Sequence, residues 1–243
     1  EGIKVVELAT FIAAPCCARY LADLGAEVIK VEATGGDPLR FTAVNEGRPQ
    51  DYREDTTYTL ENANKKCIAL NTKTPAGREA LEKLIAEADI FITNWRQSPL
   101  KKAGLDYETL HEKYPALVYG FVSGYGEKGP DKDLPGFDYT AFFARGGVLG
   151  TLFDKESVPM LTIPGFGDHQ VGIYLAAGIL GALYRAKTCG QGDRVVVSLF
   201  HTAIWDVSLM LQASQYGDVS SQYPISRRQI ANPLTVAHKT KDN

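Results

Sequence analysis

The residues with the greatest capacity for chemistry lie in Gly165-Phe166-Gly167-Asp168-His169-Gln170-Val171-Gly172. A carboxylate stands among glycines at the mouth of the run HQVGIYLAAGILGALYRAK, whose apolar spacing predicts a long buried helix over 169–187. Free backbone N–H groups and the positive end of the helix dipole would hold Asp168 ionised at neutral pH. The glycines would let a substrate come close to the backbone. Two readings fit this pattern: an ordinary N-capping aspartate, or a carboxylate presented to a bound molecule.

Other stretches carry weaker signals. Gly35-Gly36-Asp37-Pro38-Leu39-Arg40 reads either as a plain turn or as a loop whose arginine holds a phosphate or carboxylate. Asn94-Trp95-Arg96 ends a strand-like run with a stacking ring beside a fixed positive charge; a surface tryptophan packed on arginine is the alternative. Cys16 and Cys17 open a helical stretch and fit either small buried packing residues or dipole-activated thiols. His111, His169, His201 and His238 show no metal-ligand spacing, and no metal is expected. The first βα turn, residues 7–15, lacks the G-x-G-x-x-G dinucleotide fingerprint, and G-x-x-x-x-G-K-[ST], H-E-x-x-H and G-x-S-x-G are missing from the chain.

The elements that must position these residues alternate. Strand-like runs occur at 3–8, 27–32, 67–71, 89–94, 117–124 and 194–199, with helical runs at 15–24, 74–88 and 169–187. Such alternation implies an α/β fold, a Rossmann-like, mostly parallel sheet with helices on both faces and ligands at the carboxyl ends of its strands. The polar stretch 33–66 reads as an irregular functional excursion. The 243 residues are 44% hydrophobic and 23% charged, with net charge −3 and pI near 5.9. That composition fits a globular protein and gives no basic field for nucleic acid. No run approaches the roughly 18 apolar residues that span a bilayer, so no membrane partner is expected. Four cysteines without C-x-x-C spacing and no visible signal peptide point to the cytoplasm.

Six segments in order carry a family resemblance: GIKVVEL, ARYLADLGAEVIKVEATGGDPLR, KKCIALNTKTPAGREALEKLIAEADIFITNWR, LVYGFVSGYGEKGP, PGFDYTAFFARGG and GDHQVGIYLAAGILGALYRAKTCGQGDRVVVSLF. Over nearly its whole length the chain resembles the family III CoA transferases, the group of formyl-CoA:oxalate and carnitine CoA transferases. The resemblance implies an interlocked homodimer, with 1–217 as the large CoA-transferase domain and 218–243 as a linker and the start of a smaller one. It implies coenzyme A and acyl-CoA as substrates, a small carboxylic acid as acceptor and no prosthetic group. Asp168 falls on the family's catalytic aspartate, which forms an anhydride and then a CoA thioester. Arg40 falls on a CoA-contacting arginine. Asn71, Thr72 and Lys73 match a stretch near the adenine, Asn94, Trp95 and Arg96 another CoA-lining segment, and Ser123, Gly124 and Tyr125 a loop near the pantetheine.

Two departures from the family pattern bear on specificity and completeness. Ile12 stands where oxalate enzymes have glutamine, which disfavours a small dicarboxylate and favours a bulkier hydrophobic, aromatic or 2-hydroxy acid. Phe11, Tyr20, Phe137, Tyr139, Phe142 and Phe143 are candidates for an acyl pocket, or simply for the core. The family's glycine-rich loop over the acyl-aspartate is missing, and strand-like 234–238 ends in a turn, so the fold is expected to continue past Asn243. A rival reading is an α-methylacyl-CoA racemase-type epimerase. Its G-H-D element is here Gly136-Phe137-Asp138, without the histidine base, and His169 would project about 100° away from Asp168. A non-catalytic CoA-binding protein is the third reading.

Overall fold

The computed structural model describes residues 2–48, 51, 55–160, 162–226, 228, 232, 234 and 238–242. Its centre is a six-stranded sheet: β1 (Lys4–Leu8), β2 (Glu27–Glu32), β3 (Lys66–Ala69), β4 (Ile90–Thr93), β5 (Val118–Ser123) and β6 (Arg194–Ser198). The strand order is β3-β2-β1-β4-β5-β6, and every neighbouring pair is parallel. The central strands β1 and β4 are short apolar runs buried on both faces, as a helix-covered parallel sheet requires. The α/β, Rossmann-like expectation holds.

The helices divide between the faces. On one lie α1 (Ala13–Asp23) and α6 (Phe166–Cys189), whose Cys17, Leu21, Val171, Leu175 and Ile179 join Val5, Ile90 and Val122 in one core. On the other lie α3 (Pro75–Ala86), α4 (Gln97–Ala103) and α5 (Tyr107–Lys113), which seat Leu81, Ile85, Leu100 and Leu110 on Val6, Phe91 and Tyr119. Local chemistry starts several of them. Thr74 caps α3 through Oγ1 to the Gly77 N–H at 3.2 Å with Pro75 in the first turn, and Asp106 caps α5 at the Thr109 N–H. The stretch 33–66, expected to be irregular, contains two 3₁₀ turns and α2 (Thr56–Asn62), capped by Asp55 on the Tyr58 N–H at 3.0 Å. The strand proposed for 234–238 lies largely outside the described residues. After β6 come α7 (Leu199–Asp206) and α8 (Ser208–Ala213). No described helix is long and apolar enough to cross a membrane.

Candidate active site

The order of strands reverses between β1 and β4, so the loops leaving their carboxyl ends diverge and open a crevice. A cavity of about 680 Å³ occupies it, lined by 10–13 after β1, 94–97 after β4, 123–124 after β5, and Asp168. The β1 and β4 loops are tied together at the rim: the Asn94 side chain accepts from the Thr10 N–H at 3.1 Å and donates to the Thr10 carbonyl at 2.8 Å. Asn94 therefore both lines the cavity and fixes its neighbouring loop.

That loop holds Phe11 in the left-handed region, at φ 62°. A bulky side chain there costs roughly 1–3 kcal/mol and persists only where surrounding structure enforces it. The enforcing contacts are visible. Asp37 accepts from the Phe11 N–H at 3.1 Å, and is ion-paired at 3.0 Å to Lys30, which also pairs with Glu7 at 2.7 Å. Lys65 binds the other Glu7 oxygen at 2.7 Å and the Pro15 carbonyl at 2.8 Å. All four of these charged side chains are fully buried, which makes the network costly to leave half-satisfied and stiff once complete.

On the far wall, α6 begins three residues earlier than expected, with Gly165 as its N-cap at φ 84°. Asp168 is not the cap. The capping acceptors come instead from Asp138, first residue of the π-helical segment Asp138–Arg145: its Oδ2 and Oδ1 accept from the Gly165 and Gly167 N–H groups, each at 2.9 Å. Gly167 is obligatory for this: a Cβ there would lie 2.6 Å from Asp138 Oδ1 and 2.4 Å from the Phe142 ring. The sequence expectation that these N–H groups would hold Asp168 is thus corrected; Asp138 accepts from those of Gly165 and Gly167.

The ionisation expectation is corrected with it. Burial, then the charges of Asp138 and Glu61, push the Asp168 carboxyl up to about 7, against a lowering pull from His169. His169 does turn away from Asp168, and its Nε2 meets Glu61 Oε1 of α2 at 2.8 Å, a contact that raises the imidazole pKa. Sequence reasoning named Asp138 only in the Gly136-Phe137-Asp138 element and did not name Glu61, because their partners here are 27 and 108 residues away. No local spacing signals either. The thiols follow the packing reading: burial pushes Cys16 up to about 12 and Cys17 well above its usual value.

The remaining sequence candidates divide into two groups. Asn94, Trp95, Arg96, Ser123 and Gly124 line the cavity with Asp168. The loop of Gly124 crosses that of Gly136 so closely that a Cβ on Gly124 would lie 2.6 Å from the Gly136 Cα. Tyr125 turns inward and packs on Phe200, ring centroids 6.3 Å apart. Arg40 lies at the β2 end, outside the cavity lining, where it forms a bidentate pair with Glu32 at 2.8 Å and stacks over Tyr58. Against the upward push of burial, the Arg40 and Tyr58 hydrogen bonds hold Glu32 down at about 2. Asn71, Thr72 and Lys73 form the exposed turn after β3, also outside the lining. Sequence reading missed Lys101, Lys128 and Lys132, which line the cavity with Arg96 and form no ion pair among the described residues.

A doubly wound parallel sheet with Asp168 in a switch-point cavity, whose wall carries both basic and acidic side chains, defines an α/β protein with a ligand crevice at the carboxyl ends of its strands. The chain belongs to CoA-transferase family III, whose pattern matches residues 1–243. It is 61% identical over 243 residues to the cinnamoyl-CoA:phenyllactate CoA-transferase of Clostridium sporogenes, covering all of this chain and 59% of that protein. It is 50% identical over 242 residues to the (R)-2-hydroxy-4-methylpentanoate CoA-transferase of Clostridioides difficile, covering all of this chain and 60% of that protein. A CAIB/BAIF family protein from Brucella suis superposes with TM-score 0.83 at 31% identity, over 93% of this chain and 59% of that one. The chain thus spans about three-fifths of the length of these relatives.

Proposed function

We propose that the complete protein is a CoA transferase that moves CoA from an acyl-CoA to a free carboxylic acid, with Asp168 as nucleophile. The observation that carries this is that Asp138 caps α6, leaving Asp168 without a capping bond in the cavity wall. The Asp168 carboxylate attacks the thioester carbonyl and expels CoA thiolate, giving a mixed anhydride. Thiolate then attacks the aspartyl carbonyl, releasing the donor acid and leaving an aspartyl–CoA thioester. The acceptor carboxylate attacks this thioester and again frees thiolate. Thiolate takes the new acyl group from the second anhydride, and Asp168 is restored. Each step exchanges one activated carboxyl for another, so no ATP is consumed, and the cavity's task is to orient CoA and exclude water. A carboxylate poised near pH 7 is a stronger nucleophile than an ordinary one yet is still substantially ionised at neutral pH.

Arg96, with Lys101, Lys128 and Lys132, supports a CoA phosphate site in the cavity, and Trp95, Ser123 and Gly124 a path for the pantetheine. Arg40, Asn71, Thr72 and Lys73, at the neighbouring strand ends, extend this reading toward the nucleotide, with Tyr125 bracing the β5 loop from behind. Ile12, Phe11 and Phe137 give the Asp168 cavity an apolar portion, which favours a hydrophobic, aromatic or 2-hydroxy acid, in keeping with the substrates named for the two relatives. A homodimer fits the outer side of α6 and α7–α8, where Tyr184, Trp205 and Leu209 are 74%, 67% and 82% exposed. The cytoplasm fits four free thiols and a CoA-dependent reaction. The racemase reading lacks its base, because Phe137 occupies the histidine position and His169 is turned to Glu61.

The test is hydroxylamine trapping on the complete protein with a panel of acyl-CoAs, read by peptide mass mapping. A hydroxamate on Asp168 that requires acyl-CoA is expected. No adduct, with deuterium exchange at the acyl α-carbon instead, would replace this reading with the racemase one. CoA binding with neither signal would leave a non-catalytic binding protein.

A further inference from the structure

Among the described residues Phe11 is the bulkiest of three non-glycine residues with positive φ; the others are Asn64 and Glu156. Its backbone is fixed by contacts that do not involve its ring: Asn94 clamps Thr10 on one side, and Asp37, held by buried Lys30, takes the Phe11 N–H. Glycine or asparagine would adopt this backbone with little strain, so local geometry gives no reason for phenylalanine. Nor does the core, since the residue is 36% exposed and lines the cavity that Asp168 lines. What its ring does meet is Phe137, edge to face, with centroids 6.0 Å apart and planes at 88°. Phe137 is itself 54% exposed in the same cavity. Two aromatic rings from the β1 loop and from the turn before Asp138 thus meet at a right angle with faces still open. Beside them Ile12 closes on the start of α6, its Cδ1 3.3 Å from the Cβ position of Gly165.

We propose that Phe11 is a specificity-determining residue, held in a strained backbone so that it and Phe137 form a right-angled aromatic corner that receives the aryl or branched-alkyl end of the acid. The inference rests on the CoA-transferase reading and deepens it. An open corner of this kind favours a flat or branched apolar group by ring contact, and gives nothing to an acid that ends in a methyl. Because the contact is made outside the reacting carboxyl, its loss acts on binding of acid before and during reaction alike.

The complete protein is assayed with a fixed acyl-CoA donor and two acceptors, an aryl-substituted 2-hydroxy acid and its methyl counterpart. Phe11→Gly and Phe11→Asn remove the ring while keeping the left-handed backbone accessible. We expect about a tenfold fall in kcat/KM for the aryl acid, carried by KM, with a clearly smaller fall for the methyl acid and Tm not lowered. Phe11→Tyr is expected to restore the preference. An equal fall for both acids, or an unchanged ratio in both variants, would overturn the inference while the active parent upholds the transferase reading. A parent inactive with every acyl-CoA, yet correctly folded, would overturn that reading and this inference with it.

Discussion

The two ends of α6 are built on opposite principles. At the carboxyl end Gly190 closes the helix at φ 71°, its N–H bonding the Ala186 carbonyl at 2.9 Å. Basic side chains in the last turns are each paired with acids outside the helix, Lys187 with Asp89 and Arg185 with Asp193, both at 2.6 Å. Every charge there has a partner and meets water. At the amino end three carboxylates, Asp138, Asp168 and Glu61, gather with one imidazole. Asp138 takes the backbone donors and Glu61 takes His169, so Asp168 has neither. A helix N-terminus can thus attract a carboxylate and still leave the sequence-local one uncapped, when a distant residue satisfies the N–H groups.

The sharpest break is Asp168→Asn. If the free carboxylate is the nucleophile, acyl exchange should fall about 10³-fold or more, measured with labelled CoA. The same substitution should make the fold more stable at pH 8. The Asp168 pKa is raised from 3.8 to about 7, so between those values the native state holds a proton that the unfolded chain has lost. Stability of the parent therefore falls as pH rises across that window, and asparagine escapes the loss. Denaturant titration should show a gain of about 2 kcal/mol or more at pH 8, and little at pH 4. Activity of the parent should rise as pH passes through about 7, as Asp168 loses its proton. Asp138→Ala comes next. It strands the N–H groups of Gly165 and Gly167 and should cost about 2 kcal/mol, whereas Asp138→Asn, which keeps one acceptor, should cost less. Equal melting temperatures for Asp138→Ala and the parent would remove the capping argument.

Much of the fold was legible because its signals are local. Apolar runs such as Ile90–Thr93, the Thr74-Pro75 start of α3 and the glycine after Cys189 each announce an element within a few residues. The site was legible only in outline. Asp168, Asn94, Trp95, Arg96, Ser123 and Gly124 do line one cavity, since they follow strands or open a helix at one end of the sheet. The ionisation of Asp168 was misjudged, because the spacing reveals the dipole but neither the burial nor Asp138 and Glu61. The short α2 was missed because its seven residues, capped by Asp55, bury mainly Tyr58, Glu61 and Asn62, a polar set with no helical stripe. The position of Phe11 was equally invisible, since a phenylalanine in sequence says nothing of a φ imposed by Asp37 and Asn94.

The smallest effects test whether the two ends of α6 really differ. Glu61→Gln removes the carboxylate that raises the His169 pKa, so the imidazole midpoint, followed by NMR, should move down. A raised histidine pKa stabilises the fold fully below the ordinary value of 6.5, and the gain is lost as pH rises through the folded value. The stability gap between parent and variant should therefore be wider at pH 6 than at pH 8.5. With the His169 side chain 42% exposed, solvent screening keeps the pH-dependent part to about 1 kcal/mol or less. At the other end Lys187→Ala and Arg185→Ala each remove a pair that is about half exposed on the basic side. Each should change stability by about 0.5 kcal/mol or less, and leave acyl exchange untouched. The difference should shrink further at 1 M salt, where charges are screened within about 3 Å. If these exposed pairs cost as much as Asp138→Ala, then α6 would be fastened by charge at both ends alike, and the amino end would lose its claim to be the one built around a carboxylate left free.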